Sequence, residues 1–109
     1  MYGDLETMQD YWKQLEHDLV AADKKVCNRP CYLYAAQLVS NTSGASTAVI
    51  RDGHDTEGEV VVDLAALTSS NDPRRWDPPI YLKKGLFVDI GTNVTSVLVH
   101  YLPERAKKE

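Results

Sequence analysis

The chain has 109 residues, enough for one domain, and its 43% hydrophobic and 26% charged residues are ordinary for a globular protein. This composition argues against wholesale disorder. The formal net charge is −4 and the basic residues are spread in short runs, which argues against a face that binds nucleic acid. No apolar run is long enough to span a bilayer, and the first residues lack the pattern of a signal peptide. We therefore expect a protein made in the cytoplasm, with neither nucleic acid nor membrane as a partner.

An amphipathic helix is predicted over residues 5–26. Its apolar residues recur at alternating steps of three and four, the spacing of one helical face. They are Leu5, Met8, Trp12, Leu15, Leu19, Ala22 and Val26. Pro30 prevents the helix from continuing. Residues 1–29 are thus predicted to form an N-terminal helix, for which two interpretations are open: it packs on the chain's own sheet, or it docks as an arm into a groove of a partner.

The remainder, residues 30–102, is predicted to form a small antiparallel β-sandwich or barrel of about six strands. Short β-branched and aromatic runs, separated by turn clusters, are typical of such folds. The predicted strands cover residues 31–39, 47–51, 60–64, 80–82, 86–90 and 94–102. The fold class is therefore mainly β with one N-terminal helix.

Two turns in this region predict hairpins. Asp52-Gly53 is expected to join the second and third strands, and residues 91–93 the last two. The last strand is apolar on both faces, which predicts a central position or a cover from the helix or a partner. Residues 103–109 are predicted to be a charged flexible tail.

A long polar loop is predicted over residues 68–79, and it holds Arg74, Arg75 and Trp76. Arginine and tryptophan are enriched at interface hot spots, and the prolines that flank them lower the entropy lost when a loop is ordered. Two interpretations are open: the loop contacts a partner, or its Trp76 fills the domain's own core. The candidate partner-binding residues are Leu5, Met8, Trp12, Leu15, Leu19, Arg74, Arg75 and Trp76.

The residues that could carry chemistry do not form a recognised motif. Cys27 and Cys31 have C-x-x-x-C spacing instead of C-x-x-C, which favours buried free thiols over a metal site or a local disulfide. The acidic residues of 52–59 lack the alternation of a calcium loop, so a solvated turn is favoured over a calcium site. Because catalytic motifs are also missing, we expect no enzymatic activity, cofactor or metal.

Three tyrosines present a further alternative. Tyr32, Tyr34 and Tyr81 fall in predicted strands, where aromatic residues are common. They are interpreted as ordinary strand residues, with a carbohydrate-binding face as the alternative.

The C-terminal half resembles a known group of proteins. One matching piece is Ala48-Val-Ile-Arg-Asp-Gly53 with Gly58 and the run Glu59-Val-Val-Val; the other is Pro79-Ile80 with the run from Lys84-Gly-Leu-Phe to Val-His-Tyr101. Together they are similar to small β-sandwich virion structural proteins of tailed bacteriophages. The resemblance covers roughly half of the chain and excludes the N-terminal helix.

That resemblance implies a non-enzymatic, multi-copy virion protein made in the host cytoplasm. The implied function is a capsid decoration or cement protein that binds the major capsid protein or other virion proteins, with homo-oligomers allowed. The alternatives are a tail or head-to-tail connector component, and a β-sandwich module that binds carbohydrate or peptide.

Overall fold

The structure is a computed structural model that describes residues 15–104, and within this range it contains eight β-strands and no helix. The strands are β1 Glu16–Val20, β2 Lys24–Cys27, β3 Cys31–Ser40, β4 Ser46–Asp52, β5 Glu59–Ala66, β6 Asn71–Leu82, β7 Leu86–Ile90 and β8 Val94–Pro103. The prediction of a mainly β, antiparallel fold is confirmed. The structure has two strands more than the six predicted, because β1 and β2 were not recognised. Strand β6 was predicted only over its last three residues.

The strands form two four-stranded sheets. Sheet A has the order β1-β8-β3-β6 and sheet B the order β2-β7-β4-β5, and all neighbours are antiparallel. The first four strands pair in reverse with the last four: β1 with β8, β2 with β7, β3 with β6, and β4 with β5. The chain is thus one long antiparallel ribbon, with its tip at the β4–β5 turn, rolled into two facing sheets. This connectivity is that of a jelly roll.

The core lies between the two sheets. Alternate residues of each strand point inward, as the two-residue period of a strand requires. The large side chains that are fully buried include Leu33, Leu38, Ile50, Leu64, Leu82, Leu86, Val88, Val97 and Val99. Strand β8 lies between β1 and β3, which confirms the central position predicted for it.

The predicted helix is wrong over its C-terminal half. Residues 16–27 form β1 and β2, and Leu19 pairs with Leu98 of β8 instead of continuing a helical stripe. In β1 the neighbours alternate, with Val20 buried and Leu19 65% exposed. Pairing with strands distant in sequence therefore overrides the local spacing of apolar residues. The β region begins at Glu16, not at residue 30, and residues 1–14 of the predicted helix lie outside the described residues.

The predicted loop over residues 68–79 is also wrong for most of its length. Residues 71–79 belong to β6, which pairs with β3 at the edge of sheet A. An edge strand accommodates Pro73, Pro78 and Pro79 because only one of its sides has a neighbouring strand to pair with. The pairing is interrupted opposite Tyr34, where the register shifts between Leu33 and Ala35.

One predicted hairpin is confirmed and the other is not. Strands β4 and β5 pair directly, as the Asp52-Gly53 turn predicted. Strands β7 and β8 belong to opposite sheets, so the turn at residues 91–93 crosses from one sheet to the other. Both strands have the alternating apolar residues that are typical of a hairpin. The apolar residues of β7 in sheet B and of β8 in sheet A instead face each other across the core.

Candidate interaction surface

The solvent-facing side of sheet A, here called the outer face, is rich in apolar residues. The strand registers place a set of side chains together on it. They are His17 and Leu19 of β1, Leu98, His100 and Leu102 of β8, Tyr32, Ala35, Gln37 and Val39 of β3, and Pro73, Arg75 and Tyr81 of β6. All eight described strands belong to the two sheets, so none of them covers this face.

The middle of the outer face is formed by facing apolar residues. Leu19 lies opposite Leu98, and Leu98 lies opposite Gln37 on the other side of β8. Leu19 is 65% exposed, and Leu98 is partly buried. A single exposed leucine is ordinary, but a contiguous apolar patch marks an interaction site in a soluble protein. The outer face is therefore a candidate interaction surface.

A shallow groove crosses the outer face between β6 and β8. Its lining residues are Ala35, Ala36, Gln37, Pro73, Arg74, Arg75, Leu98 and His100. The small side chain of Ala35 lies between the larger residues Arg75 and His100, to which it is register-paired on either side. The groove thus combines apolar residues with two arginines and a histidine.

Two histidines meet on the same face. His17 and His100 are register partners, with ring centroids 6.0 Å apart and ring planes inclined by 34°. Burial, followed by the nearby His17, lowers the pKa of His100 below its ordinary value of 6.5. A positive charge on the His100 imidazole is therefore less favourable than on a histidine in water.

Tyr32 and Tyr81 form an aromatic pair at one end of the outer face. The two residues are register partners, with ring centroids 5.0 Å apart and planes inclined by 42°. Tyr81 is 44% exposed, and its hydroxyl donates to Glu104 Oε1 at 2.9 Å. That hydrogen bond is the main cause of the raised pKa of Tyr81. The structure thus brings together two of the three tyrosines considered for a carbohydrate-binding face, and it places Tyr34 at the register shift.

The corresponding side of sheet B is different. On β4, Arg51 donates from Nε to Asp89 Oδ2 at 3.1 Å and from Nη1 to the carbonyl oxygen of Gly58 at 2.9 Å. Val49 of the same strand lies between Asp63 and Asp89. This surface thus mixes charged side chains, some of which are paired within it, with apolar residues of β5 such as Val61, which is 36% exposed. Sheet A has the more exposed leucine, Leu19, and the groove between β6 and β8, and it is therefore the candidate interaction surface.

The structure disperses the predicted partner-binding residues. Leu19 and Arg75 lie on the outer face, and Leu15 directly precedes β1 and is partly buried. Arg74 lies on the opposite side of β6, where its Nε donates to Asp72 Oδ1 at 2.8 Å. Trp76 is partly buried and packs against the hydrophobic core. The predicted residues Leu5, Met8 and Trp12 lie outside the described residues.

Sequence reasoning found part of the outer face. The second apolar side of the last strand, predicted from the sequence to mean a central position or a cover, consists of Leu98, His100 and Leu102. The sequence pattern does not predict that His17, Ala35 and Pro73 adjoin them, because only the pairing of the strands places these residues on the outer face.

The two cysteines are free and buried, as the spacing favoured. Cys27 Sγ donates to the carbonyl oxygen of Arg29 at 3.4 Å. Burial, followed by the neighbouring Cys27, raises the pKa of the Cys31 thiol strongly, so it does not form a reactive thiolate at neutral pH. The pair belongs to the core.

Asp52, the last residue of β4, is buried and not solvated as predicted. The buried Asp52 carboxylate accepts hydrogen bonds from the backbone N–H groups of Lys83, Lys84 and Gly85 at 3.1, 2.8 and 3.4 Å. It thereby fixes the β6–β7 connection. Between residues 15 and 104, no group of three or more His, Cys, Asp or Glu side chains is arranged to hold a metal ion.

No described helix has the length and apolarity needed to cross a membrane. The chain matches no protein-family model, no curated protein and no solved structure.

Proposed function

We propose that this chain is a non-enzymatic structural protein that acts by binding protein neighbours through the outer face of sheet A. The observation that carries the proposal is the apolar surface around Leu19 and Leu98 on one side of an otherwise complete sandwich. Burial of apolar surface is the dominant favourable contribution to most protein–protein association. The outer side of sheet B has the charged residues Arg51, Asp63 and Asp89 beside its apolar ones.

We further propose a virus particle as the setting, with the chain as a capsid decoration protein on the major capsid protein. Support comes from the resemblance of residues 48–53, 58–62, 79–80 and 84–101 to virion proteins of tailed bacteriophages. The jelly-roll connectivity is compatible, since viral capsid and lectin domains use it, but a fold by itself carries no function. In such an assembly many neighbours would bury the outer face of each copy, and binding would add to the stability of a small domain.

Copy number in the purified particle tests this proposal. Quantitative mass spectrometry, with the major capsid protein as the internal reference, gives the number of copies per particle. A fixed ratio comparable to that of the coat subunits is the result expected for a decoration protein. A few copies would favour a tail or head-to-tail connector component instead, and absence from the particle would overturn the virion assignment.

The second candidate is a carbohydrate- or peptide-binding module, and the Tyr32–Tyr81 pair favours it. Exposed aromatic rings can stack on the apolar side of a sugar ring or a peptide side chain. Screening the purified protein against a glycan array tests this candidate, with Tyr81→Ala as the site variant. Binding that is lost in Tyr81→Ala would establish it, whereas no binding, or binding that the variant retains, would argue against it.

A further inference from the structure

We propose that His17 and His100 together bind a divalent transition-metal ion of the zinc, nickel and copper class. The two residues are register partners on β1 and β8, with ring centroids 6.0 Å apart and ring planes inclined by 34°. Both side chains lie on the outer face of sheet A. The site belongs to the isolated chain and does not depend on the proposed function.

The separation of the two rings fits one shared ion. A zinc ion lies about 2.0–2.1 Å from a coordinating imidazole nitrogen, and therefore about 3.2 Å from the centre of that ring. Two imidazoles on one ion then have their centres about 5.2 Å apart at the tetrahedral angle, and about 6.4 Å apart when the nitrogens lie on opposite sides of the ion. The observed 6.0 Å lies between these limits. Turning each ring about its soft terminal χ2 torsion can direct a nitrogen of both rings at the same point.

The ring nitrogens of the pair are available as ligands. Between residues 15 and 104, neither His17 nor His100 makes a side-chain hydrogen bond or an ion pair, and the partner of each ring is the other ring. His17 is exposed on an edge strand and His100 is partly buried beside it, so an ion can reach the pair from solvent. His54, the third histidine of the chain, differs because its Nε2 lies 2.7 Å from the carbonyl oxygen of Lys84.

The surroundings of the pair select the class of ion. Imidazole nitrogen suits zinc, copper and nickel, whereas calcium and magnesium require oxygen ligands. The neighbouring residues of the outer face, Leu98, Leu102 and Ala35, supply no carboxylate. The site therefore favours a transition metal over calcium or magnesium.

The number of ligands limits the affinity of the site. Two protein ligands are fewer than the three of a catalytic zinc site or the four of a structural one. This agrees with the finding that residues 15–104 contain no group of three or more side chains arranged to hold a metal ion. Strand pairing nevertheless holds the second ring beside the first, so that it meets the ion at a high effective concentration. Removal of either ring should therefore weaken binding by at least about tenfold.

Calorimetric titration of the chelator-treated protein with zinc chloride tests the site. The variants His17→Gln and His100→Gln each keep a polar side chain and remove one ligand. His54→Gln is the matched control, because it removes a histidine of the β4–β5 turn, away from the outer face. Circular dichroism verifies that each variant is folded.

We expect one zinc ion per chain, with binding at least about tenfold weaker in His17→Gln and in His100→Gln and unchanged in His54→Gln. Equal binding by the unmodified protein and the two site variants would overturn the proposal, because other side chains would then hold the ion. Failure of the unmodified protein to bind zinc at millimolar concentration would also overturn it.

NMR spectra of the histidine ring protons identify the ligands directly. Zinc should shift the signals of His17 and His100 and leave those of His54 in place, and the opposite pattern would contradict the site. If His100→Gln fails to fold, His17→Gln decides the case, because His17 is exposed on an edge strand. Zinc binding as strong in His17→Gln as in the unmodified protein then overturns the proposal.

Discussion

His17 and His100 face each other on β1 and β8, with their ring centroids 6.0 Å apart on the outer face of sheet A. The pairing brings the first described strand against the last and places two titratable rings within an apolar surface. Arg75 lies on the far side of Ala35 from His100, so a guanidinium group and the His100 ring line the same groove. Because His100 is partly buried and lies beside His17, a positive charge on its ring is unfavourable in the folded state.

The first prediction is a loss of stability on acidification. Because the pKa of His100 is lowered in the folded state, the unfolded chain binds its proton more readily. Stability is therefore fully present above the ordinary histidine value of 6.5 and declines as the pH falls from there towards the folded-state pKa. Urea unfolding at a series of pH values from 7.5 to 5, with ionic strength held constant, measures this decline.

His100→Gln serves as the control for that titration. The variant keeps a polar side chain but cannot be protonated, so its stability should decline less over the same pH range. An equal decline in the variant and the unmodified protein would show that other groups cause it. NMR titration of the His100 ring protons measures the direction of the pKa shift directly.

The second prediction concerns the carboxylate that fixes the β6–β7 connection. Asp52→Ala removes the acceptor for the backbone N–H groups of Lys83, Lys84 and Gly85. Because hydrogen bonds to a charged group are strong and these donors would lose their partner, we expect the free energy of unfolding to fall by about 2–3 kcal/mol. Asp63→Ala, at an exposed position of β5, should change it by no more than about 0.5 kcal/mol. Equal effects in urea unfolding would contradict a structural role for Asp52.

The third prediction separates a core role of Trp76 from an interface role. Trp76 is partly buried and packs against the core. Trp76→Ala should therefore destabilise the isolated chain by about 2–4 kcal/mol, near the lower end of the range for tryptophan truncation. Trp76→Phe retains much of the packing and should cost clearly less. An unchanged unfolding midpoint in Trp76→Ala would show that the contact of Trp76 with the core contributes little to the stability of the chain.

The fourth prediction concerns the thiols. Cys31 is fully buried and its thiol pKa is strongly raised, so native protein at neutral pH should react very slowly with a disulfide reagent such as DTNB. After unfolding, both cysteines should react. Rapid reaction of the native protein would contradict the buried environment. Failure of the unfolded protein to react without reductant would indicate a disulfide.

Local patterns predicted the strands whose apolar residues alternate and whose partners are close in sequence. The β4–β5 hairpin follows from two alternating runs and a glycine turn. The central position of β8 follows from its second apolar side, which holds Leu98 and Leu102. These features depend on each strand and on its nearest neighbours along the chain, so local sequence patterns are sufficient to predict them.

The remaining features depend on long-range pairing. In β1 and β2 a three-four spacing of apolar residues mimics a helix, but pairing with β8 and β7 determines the conformation. In β6 the prolines indicate a loop, yet an edge position allows a strand. Dependence on long-range strand pairing also explains why the outer face was predicted only in part. His17, Ala35 and Arg75 join His100 only through the registers of three different strand pairs.

The central claim is that protein neighbours bind the outer face of sheet A. Binding of purified chain to particles that lack it, measured by co-sedimentation, tests this claim most directly. The comparison is between the unmodified protein, Leu98→Asp and the matched Val49→Asp. We predict saturable binding for the unmodified protein and Val49→Asp. Binding by Leu98→Asp should be at least about tenfold weaker, since an unpaired carboxylate in an apolar interface costs more than about 1.4 kcal/mol. Equal binding by Leu98→Asp and the unmodified protein would contradict the claim.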